Sequence, residues 1–289
     1  MALYTPLLEQ HLALIENRLL DYLPHGDGIA QMMRYACEGG GKRIRPVLLL
    51  EYYRLCGGRG EAALPFAAAI EFVHSYSLVH DDLPCMDNSP LRRGKPSVHA
   101  KYGETMALLT GDALLNRAFE CMLSASDVEP KAALAAAGIL ADNAGLFGML
   151  GGQELDLNSD GKEIDLHTLK RLQEGKTAAL LVAACRMGAI LGGGTAEQVE
   201  QAGRYGYYVG LAFQVVDDIL DVTATAEQLG KPVGSDEKNE KNTYVSLLGL
   251  EKAKALAAEY TEKAKTALDC FDDAADLRLL ADALLVRTH

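Results

Sequence analysis

The chain has no tryptophan, and aromatic residues fill only 6% of its 289 positions. Strands draw on aromatic and β-branched residues, so this shortage favours helices, as do the abundant alanine and leucine. No long segment alternates apolar and polar residues with period two, which leaves little room for a half-exposed sheet. Positive charge is also scarce: 28 Lys and Arg stand against 40 Asp and Glu, giving a net charge of −12 and a sequence pI of about 5.1. Such a balance makes a poor binder of nucleic acid or of an anionic membrane surface, because both need clustered bases. A small anionic substrate stays compatible, since a few local bases or bound cations reverse the sign inside one cleft. CxxC pairs are absent. The six cysteines (Cys37, Cys56, Cys85, Cys121, Cys185 and Cys270) are scattered, which excludes a zinc-ligand run and fits a reducing cytosol. The N-terminal stretch carries Glu9 and Glu16 and has no apolar signal core. The longest apolar stretch, Thr177 to Gly194, is interrupted by Arg186 and reads as a buried helix rather than a membrane span.

What is present is apolar residue at helical spacing. Apolar types make up 49% of the chain with a mean hydropathy of +0.00, as in a soluble globular protein with a substantial core. Leu8, Leu12, Ile15, Leu19 and Leu20 mark an N-terminal helix. Further helices are predicted from about Arg43 to Leu55, with Pro46 tolerated in the first turn, and over Ala62–His80, Glu104–Ser124, Lys131–Leu150, Lys176–Leu191, Ala196–Asp221 and an amphipathic Lys252–Cys270. Glycine pairs and triplets separate them, and two longer polar breaks run from Pro84 to Ala100 and from Thr223 to Thr243. With no repeat and no low-complexity linker, the reading is one nearly all-α domain over residues 1–289.

Each long break directly follows an aspartate cluster. The first is Asp81-Asp82-Leu83-Pro84-Cys85-Met86-Asp87 and the second Asp217-Asp218-Ile219-Leu220-Asp221, each at the end of an apolar helical run. Carboxylates there need a reason, since burying them unpaired is costly. Asp217 and Asp221 are four apart and share a helix face. Asp81 and Asp87 would point apart on an ideal helix, and Pro84 distorts the turn, so local unwinding is expected. One such cluster is more often a solvated helix end. Two of them, each followed by bases, suit Mg²⁺, which commonly takes one or two carboxylates together with substrate phosphates. The bases are Arg92, Arg93 and Lys95 after the first cluster, Lys231 and Lys241 after the second, and the upstream run Gly39-Gly40-Gly41-Lys42-Arg43-Ile44-Arg45-Pro46. Arginine forks match phosphate oxygens, and lysine acts as a point charge. The glycine run lacks P-loop spacing.

Taken in order, GGGKRIRP, EFVHSYSLVHDDLPCMD, LRRGKPS, GGQELDL, KTAALL, AFQVVDDILD and LGKPVGSD resemble the trans-prenyl diphosphate synthases of the bacterial farnesyl and geranylgeranyl type, from about Arg34 to Leu250. The resemblance implies an all-α fold of about ten or more helices around a central cavity, usually as a homodimer, and condensation of isopentenyl diphosphate with dimethylallyl or geranyl diphosphate. It implies Mg²⁺, on the order of three ions with substrate bound and with Mn²⁺ as a substitute. Asp81 and Asp87 would ligate metal from one wall and Asp217 from the other, with Asp82, Asp218 and Asp221 in support. Arg92, Lys176, Thr177, Gln214 and Lys231 would complete the allylic diphosphate pocket, with Lys241 a further contact. Lys42, Arg45, His74 and Arg93 would hold isopentenyl diphosphate. Ser89-Pro90 stands where relatives commonly carry two more acids, outside the metal-binding set.

The family's length rule puts the residue that stops chain growth just before the first cluster, at Tyr76 and Ser77 here. Five helical residues rise about 7.5 Å, so a ring at Tyr76 would floor the tunnel below the reacting carbon. That implies a C15 product, with C20 as the alternative; the competing reading makes Tyr76 a core aromatic. Glu71 and His74 form an ExxH pair, but a di-iron bundle needs two such pairs and no second is found. His80 reads as support for the first cluster, and Gln153 and Asp156 as cavity wall or helix cap. A non-catalytic subunit would usually lack some of the aspartates or bases, and a cyclase would not need Lys42, Arg45, His74 and Arg93.

Overall fold

A computed structural model describes residues 3–223 and 242–286. Helices dominate: α1 (Pro6–Arg18), α2 (Ile29–Cys37), α3 (Ile44–Leu55), α4 (Leu64–Asp81), α5 (Val98–Tyr102), α6 (Glu104–Leu123), α7 (Pro130–Ala144), α8 (Met149–Ser159), α9 (Leu166–Gln173), α10 (Ala179–Leu191), α11 (Ala196–Thr223), α12 (Tyr244–Leu248), α13 (Leu250–Thr266) and α14 (Ala275–Leu285). This is the all-α architecture expected. One short antiparallel hairpin, β1 (Leu91–Arg92) with β2 (Lys95–Pro96), lies in the first long break. Its two-residue loop has Arg93 at φ 51° and Gly94 at φ 76°, the positive pair that such a tight hairpin needs.

Burial follows composition. Helix α4 is apolar on nearly every side, from Phe66 through Phe72 to Val79, and is accordingly buried almost all round. It packs against α6 and α3, while α10 sits among α3, α7 and α11, and α11 carries α13. A main core runs from Leu8 to Leu284 and includes Tyr52, Phe66, Phe72 and Tyr205. A smaller core around Leu211, Val215, Tyr244 and Tyr260 seals the far side of α11.

Three helices escaped the pattern reading: α2, α9 and α14. The predicted helix Lys131–Leu150 is in fact two, because the chain turns at 145–148 before α8 begins. By length and hydropathy Pro130–Ser159, rather than Thr177–Gly194, is the stretch that could cross a membrane, but that turn divides it and a third of it is buried in the bundle.

Candidate active site

The first aspartate cluster ends α4. Asp81 is its last residue, Asp82 caps it, and Pro84 prevents another turn. The chain then folds back on itself, and the Asp87 N–H donates to the Asp81 carbonyl at 2.9 Å. This is the unwinding that the spacing demanded, and it brings Asp87 back beside Asp81. Burial, with Asp87 adding to it against the pull of Lys176, raises the Asp81 carboxyl to about 6. A desolvated, crowded carboxylate of this kind is short of positive charge. Asp82 is differently employed. It is 2% exposed, and the Arg92 Nε donates to both of its oxygens at 3.1 and 3.2 Å. Asp82 thus fixes the arginine of β1.

Upstream, the glycine turn delivers Lys42, Arg43 and Arg45 to the start of α3. Arg43 takes the left-handed conformation at φ 45° and is buried. Its guanidinium donates to Glu16 at 2.7 Å, to Glu71 at 2.6 Å and to the Cys37 carbonyl at 2.6 Å. This ties the turn to α1, α2 and α4, and it gives the Glu71 of the ExxH pair a structural role. Arg93 reaches back to the Gly40 carbonyl. Arg45 is wholly buried, and among the described residues its Nε has no hydrogen-bond partner. Burial and the neighbouring Arg93 lower its guanidinium from the ordinary value. Burial first, then Arg45, Arg93, Arg43 and Arg92, holds the His74 imidazole far below its usual range, so His74 is neutral at pH 7. A neutral imidazole, a buried guanidinium with a donor to spare and an excess of positive charge suit a diphosphate.

The opposite wall is α11. Thr177 donates from Oγ1 to the Gln214 Oε1 at 3.4 Å, and Gln214 Nε2 donates to Asp218 Oδ1 at 3.2 Å. The other Asp218 oxygen accepts the Tyr244 N–H at 2.7 Å, so Asp218 anchors the start of α12. Asp217 is half-buried and Asp221 buried on the same helix. Lys42 lies over the Phe213 ring, 5.7 Å from its centroid. Lys231 and Lys241 lie outside the described residues.

Between the walls runs a one-turn π-helix, Glu174–Ala178, which joins α9 to α10 and carries Lys176 and Thr177. Such turns often occur at functional sites. It touches α8 backbone to backbone, because Gly152 and Gly175 face each other. That contact places Asp156 against Lys176 as an ion pair and Gln153 against Asp81, with Nε2 donating to Oδ1 at 3.0 Å. Both polar residues face the site, which decides a point the sequence left even.

Two spaces meet at Lys176 and Thr177. One, of about 420 Å³, is bordered by Arg45, His74, Tyr76, Ser77, His80, Asp81 and Leu108. The other, of about 220 Å³, is bordered by Asp156, Gln214 and Asp218. Tyr76 is 4% exposed and meets the His80 ring edge-on at 5.7 Å. His80 in turn contacts the Leu108 carbonyl at 3.0 Å, a structural role as expected. Ser77 donates to the His74 carbonyl at 2.9 Å.

Among the described residues, no three carboxylate, imidazole or thiol groups already converge as a metal cage. The donors are all oxygens, spread along two walls beside an anion pocket. That set fits Mg²⁺ completed by phosphate oxygens rather than a closed protein cage.

The sequence profile of the family described as "Polyprenyl synthetase" matches residues 27–277. The chain is 49% identical over 265 residues to a chloroplastic geranylgeranyl pyrophosphate synthase of Capsicum annuum, covering 90% of this chain and 72% of that one. It is 42% identical over 281 residues to the farnesyl diphosphate synthase of Geobacillus stearothermophilus, covering 95% of each. A crystal structure of a geranyltransferase from Helicobacter pylori, complexed with magnesium and isoprenyl diphosphate, superposes with a TM-score of 0.83 at 36% identity over 99% of this chain and 98% of that one. With a profile spanning most of its length and relatives this similar across nearly all of it, the chain belongs to the polyprenyl synthetase family.

Proposed function

We propose that this protein is a Mg²⁺-dependent prenyltransferase that joins isopentenyl diphosphate to an allylic diphosphate, giving mainly the C15 product. One observation carries the reading: an acid wall at Asp81, a lysine at 176 and a guanidinium–imidazole pocket at Arg45 and His74 all border one largely apolar cavity. Two diphosphates and a hydrocarbon tail need such a set. Asp81, Asp87 and Asp217 hold the metal, with Asp82, Asp218 and Asp221 in support, and Mn²⁺ can substitute. When bound, the metal neutralises charge on the departing diphosphate. Lys176 and Arg92 add to that neutralisation from the protein. Lys42, Arg45, His74 and Arg93 hold the isopentenyl diphosphate. The allylic C1–oxygen bond breaks, the terminal alkene carbon of isopentenyl diphosphate bonds to C1, and a proton leaves to the released diphosphate. Thr177 and Gln214 present oxygens toward the cation, and Tyr76, His80 and Leu108 keep water from below. The scattered free thiols support a reducing cytosol.

Incubation with isopentenyl diphosphate, Mg²⁺ and dimethylallyl or geranyl diphosphate, read by mass spectrometry, tests the reading. A C15 product supports it, and no condensation with any starter overturns it. The alternative product is C20, favoured by the 49% identity to a geranylgeranyl pyrophosphate synthase. Tyr76 discriminates between them. Tyr76→Ala is expected to lengthen the product by at least one five-carbon unit, and an unchanged distribution would remove Tyr76 as the floor.

A homodimer is the expected assembly. Leu123, Leu134, Leu146 and Phe147 are 72%, 69%, 65% and 97% exposed along neighbouring α6, α7 and the turn before α8, an apolar exposure that soluble monomers avoid. Light scattering should give twice 31.1 kDa. Phe147→Glu should shift the equilibrium at least about tenfold toward monomer, the cost of burying a charge at an apolar contact. A monomeric wild type would overturn the assembly.

A further inference from the structure

We infer that Gln153 and Asp156 are positioning residues for the reaction, setting the acid wall and the lysine from one face of α8; this rests on the prenyltransferase reading above. The two are three residues apart on a helix and so project together. Gln153 donates to Asp81 at 3.0 Å, and Asp156 pairs with Lys176. Each residue type fits its task. The Gln153 amide fixes the Asp81 carboxylate without cancelling its charge, whereas a base there would compete with metal and an acid would repel Asp81 and Asp87. Lysine hangs on a flexible four-carbon stem, and a fixed carboxylate takes up that freedom before substrate arrives. The helix that carries both partners is itself placed rigidly, through the Gly152–Gly175 backbone contact. A single short element therefore sets the spacing between the acid and the ammonium.

The two residues should fail in different ways. Gln153→Met keeps the length and removes the donor. It should raise the Mg²⁺ concentration for half-maximal activity about tenfold, the usual consequence of losing a group that orients a metal ligand. Turnover at saturating Mg²⁺ should return to within about threefold of wild type. Asp156→Asn keeps the shape and removes the charge. It should lower kcat about tenfold while leaving the Mg²⁺ midpoint within twofold. Calorimetric titration of Mg²⁺ into each protein with dimethylallyl S-thiolodiphosphate, a poorly ionising analogue, reads the metal midpoint without turnover. The KM for isopentenyl diphosphate should stay within about twofold in both variants. The separation of the two signatures is the expected result. Wild-type behaviour in both variants, or an equal fall in every parameter with a lower Tm, would overturn the inference. Failure of wild type to condense any substrate would instead overturn the functional reading, and the calorimetric midpoints would still report whether Gln153 orients Asp81 toward metal.

Discussion

Asp81→Asn is expected to reduce condensation by about a thousandfold or more while making the ligand-free protein more stable. The two effects share one cause. Asp81 sits where burial and Asp87 raise its carboxyl to about 6 from the ordinary 3.8. An acid whose native value lies above its unfolded value stabilises the fold fully only below the unfolded value, and that stability is lost as pH rises through the native one. At pH 7 the ionised Asp81 therefore weighs against folding, by about 2 kcal/mol on the order-of-magnitude scale of one pH unit per 1.4 kcal/mol. Asparagine removes the charge and keeps an oxygen toward Gln153. Thermal denaturation without metal or substrate should show a higher Tm for the variant at pH 7, with the difference vanishing toward pH 4. The charge is retained because it holds the cation that neutralises departing diphosphate, a contribution of several kcal/mol and hence of about three orders of magnitude in rate. A chelator should abolish wild-type condensation for the same reason. Full activity in Asp81→Asn would sink the metal-holding role, and a lower Tm at pH 7 would sink the electrostatic account.

Much of this site was legible because its signals are local. Asp81 and Asp87 are close in sequence, and Pro84 between them forces the turn that the structure shows. The bases follow each cluster within a few residues, and His74 and Tyr76 lie within two turns of Asp81 on the same helix. Long apolar helices such as α4, α6, α10 and α11 were legible for the same reason, since each repeats its period several times. Short ones were not. Helix α9 buries only Leu169 and Leu172, too few positions to establish a period, and α2 buries only Met33 and Cys37.

What sequence could not divide was the labour among the carboxylates. Asp82 and Asp218 look like Asp81 and Asp217 in the motif, yet Asp82 is taken up by Arg92 and Asp218 by Gln214 and the Tyr244 backbone. Those assignments depend on partners 10 to 26 residues away in part of a fold that the motif does not encode. The grip of Gln153 on Asp81 spans 72 residues, and nothing in GGQELDL alone says which carboxylate it meets. Arg43 was equally opaque. In the run it is one more base, but its partners Glu16, Cys37 and Glu71 on three helices make it the bolt that holds the turn.

The glycine before Gln153 carries the second large effect: Gly152→Ala is expected to lower kcat at least about a hundredfold. A Cβ at Gly152 would stand 2.1 Å from the Lys176 nitrogen and 2.6 Å from the Gly175 carbonyl carbon. Both obstacles are backbone, so no side-chain rotation relieves the contact, and α8 must move away from the π-turn by roughly an ångström. That shift acts on both sides of the site at once. It draws Gln153 off Asp81 and Asp156 off Lys176, and displacements of this size cost about two orders of magnitude in a reaction that depends on placement. It also opens a gap between two packed elements, so Tm should fall, by an amount set by overpacking costs of about 1–3 kcal/mol. Steady-state kinetics at saturating substrates and a thermal melt read the two effects separately. Raising Mg²⁺ should not restore the rate, because Lys176 is displaced along with the acid wall; recovery at high Mg²⁺ would mean that α8 serves Asp81 alone. Unchanged kcat with unchanged Tm would mean that the two glycines are not the hinge on which the acid and the ammonium are set.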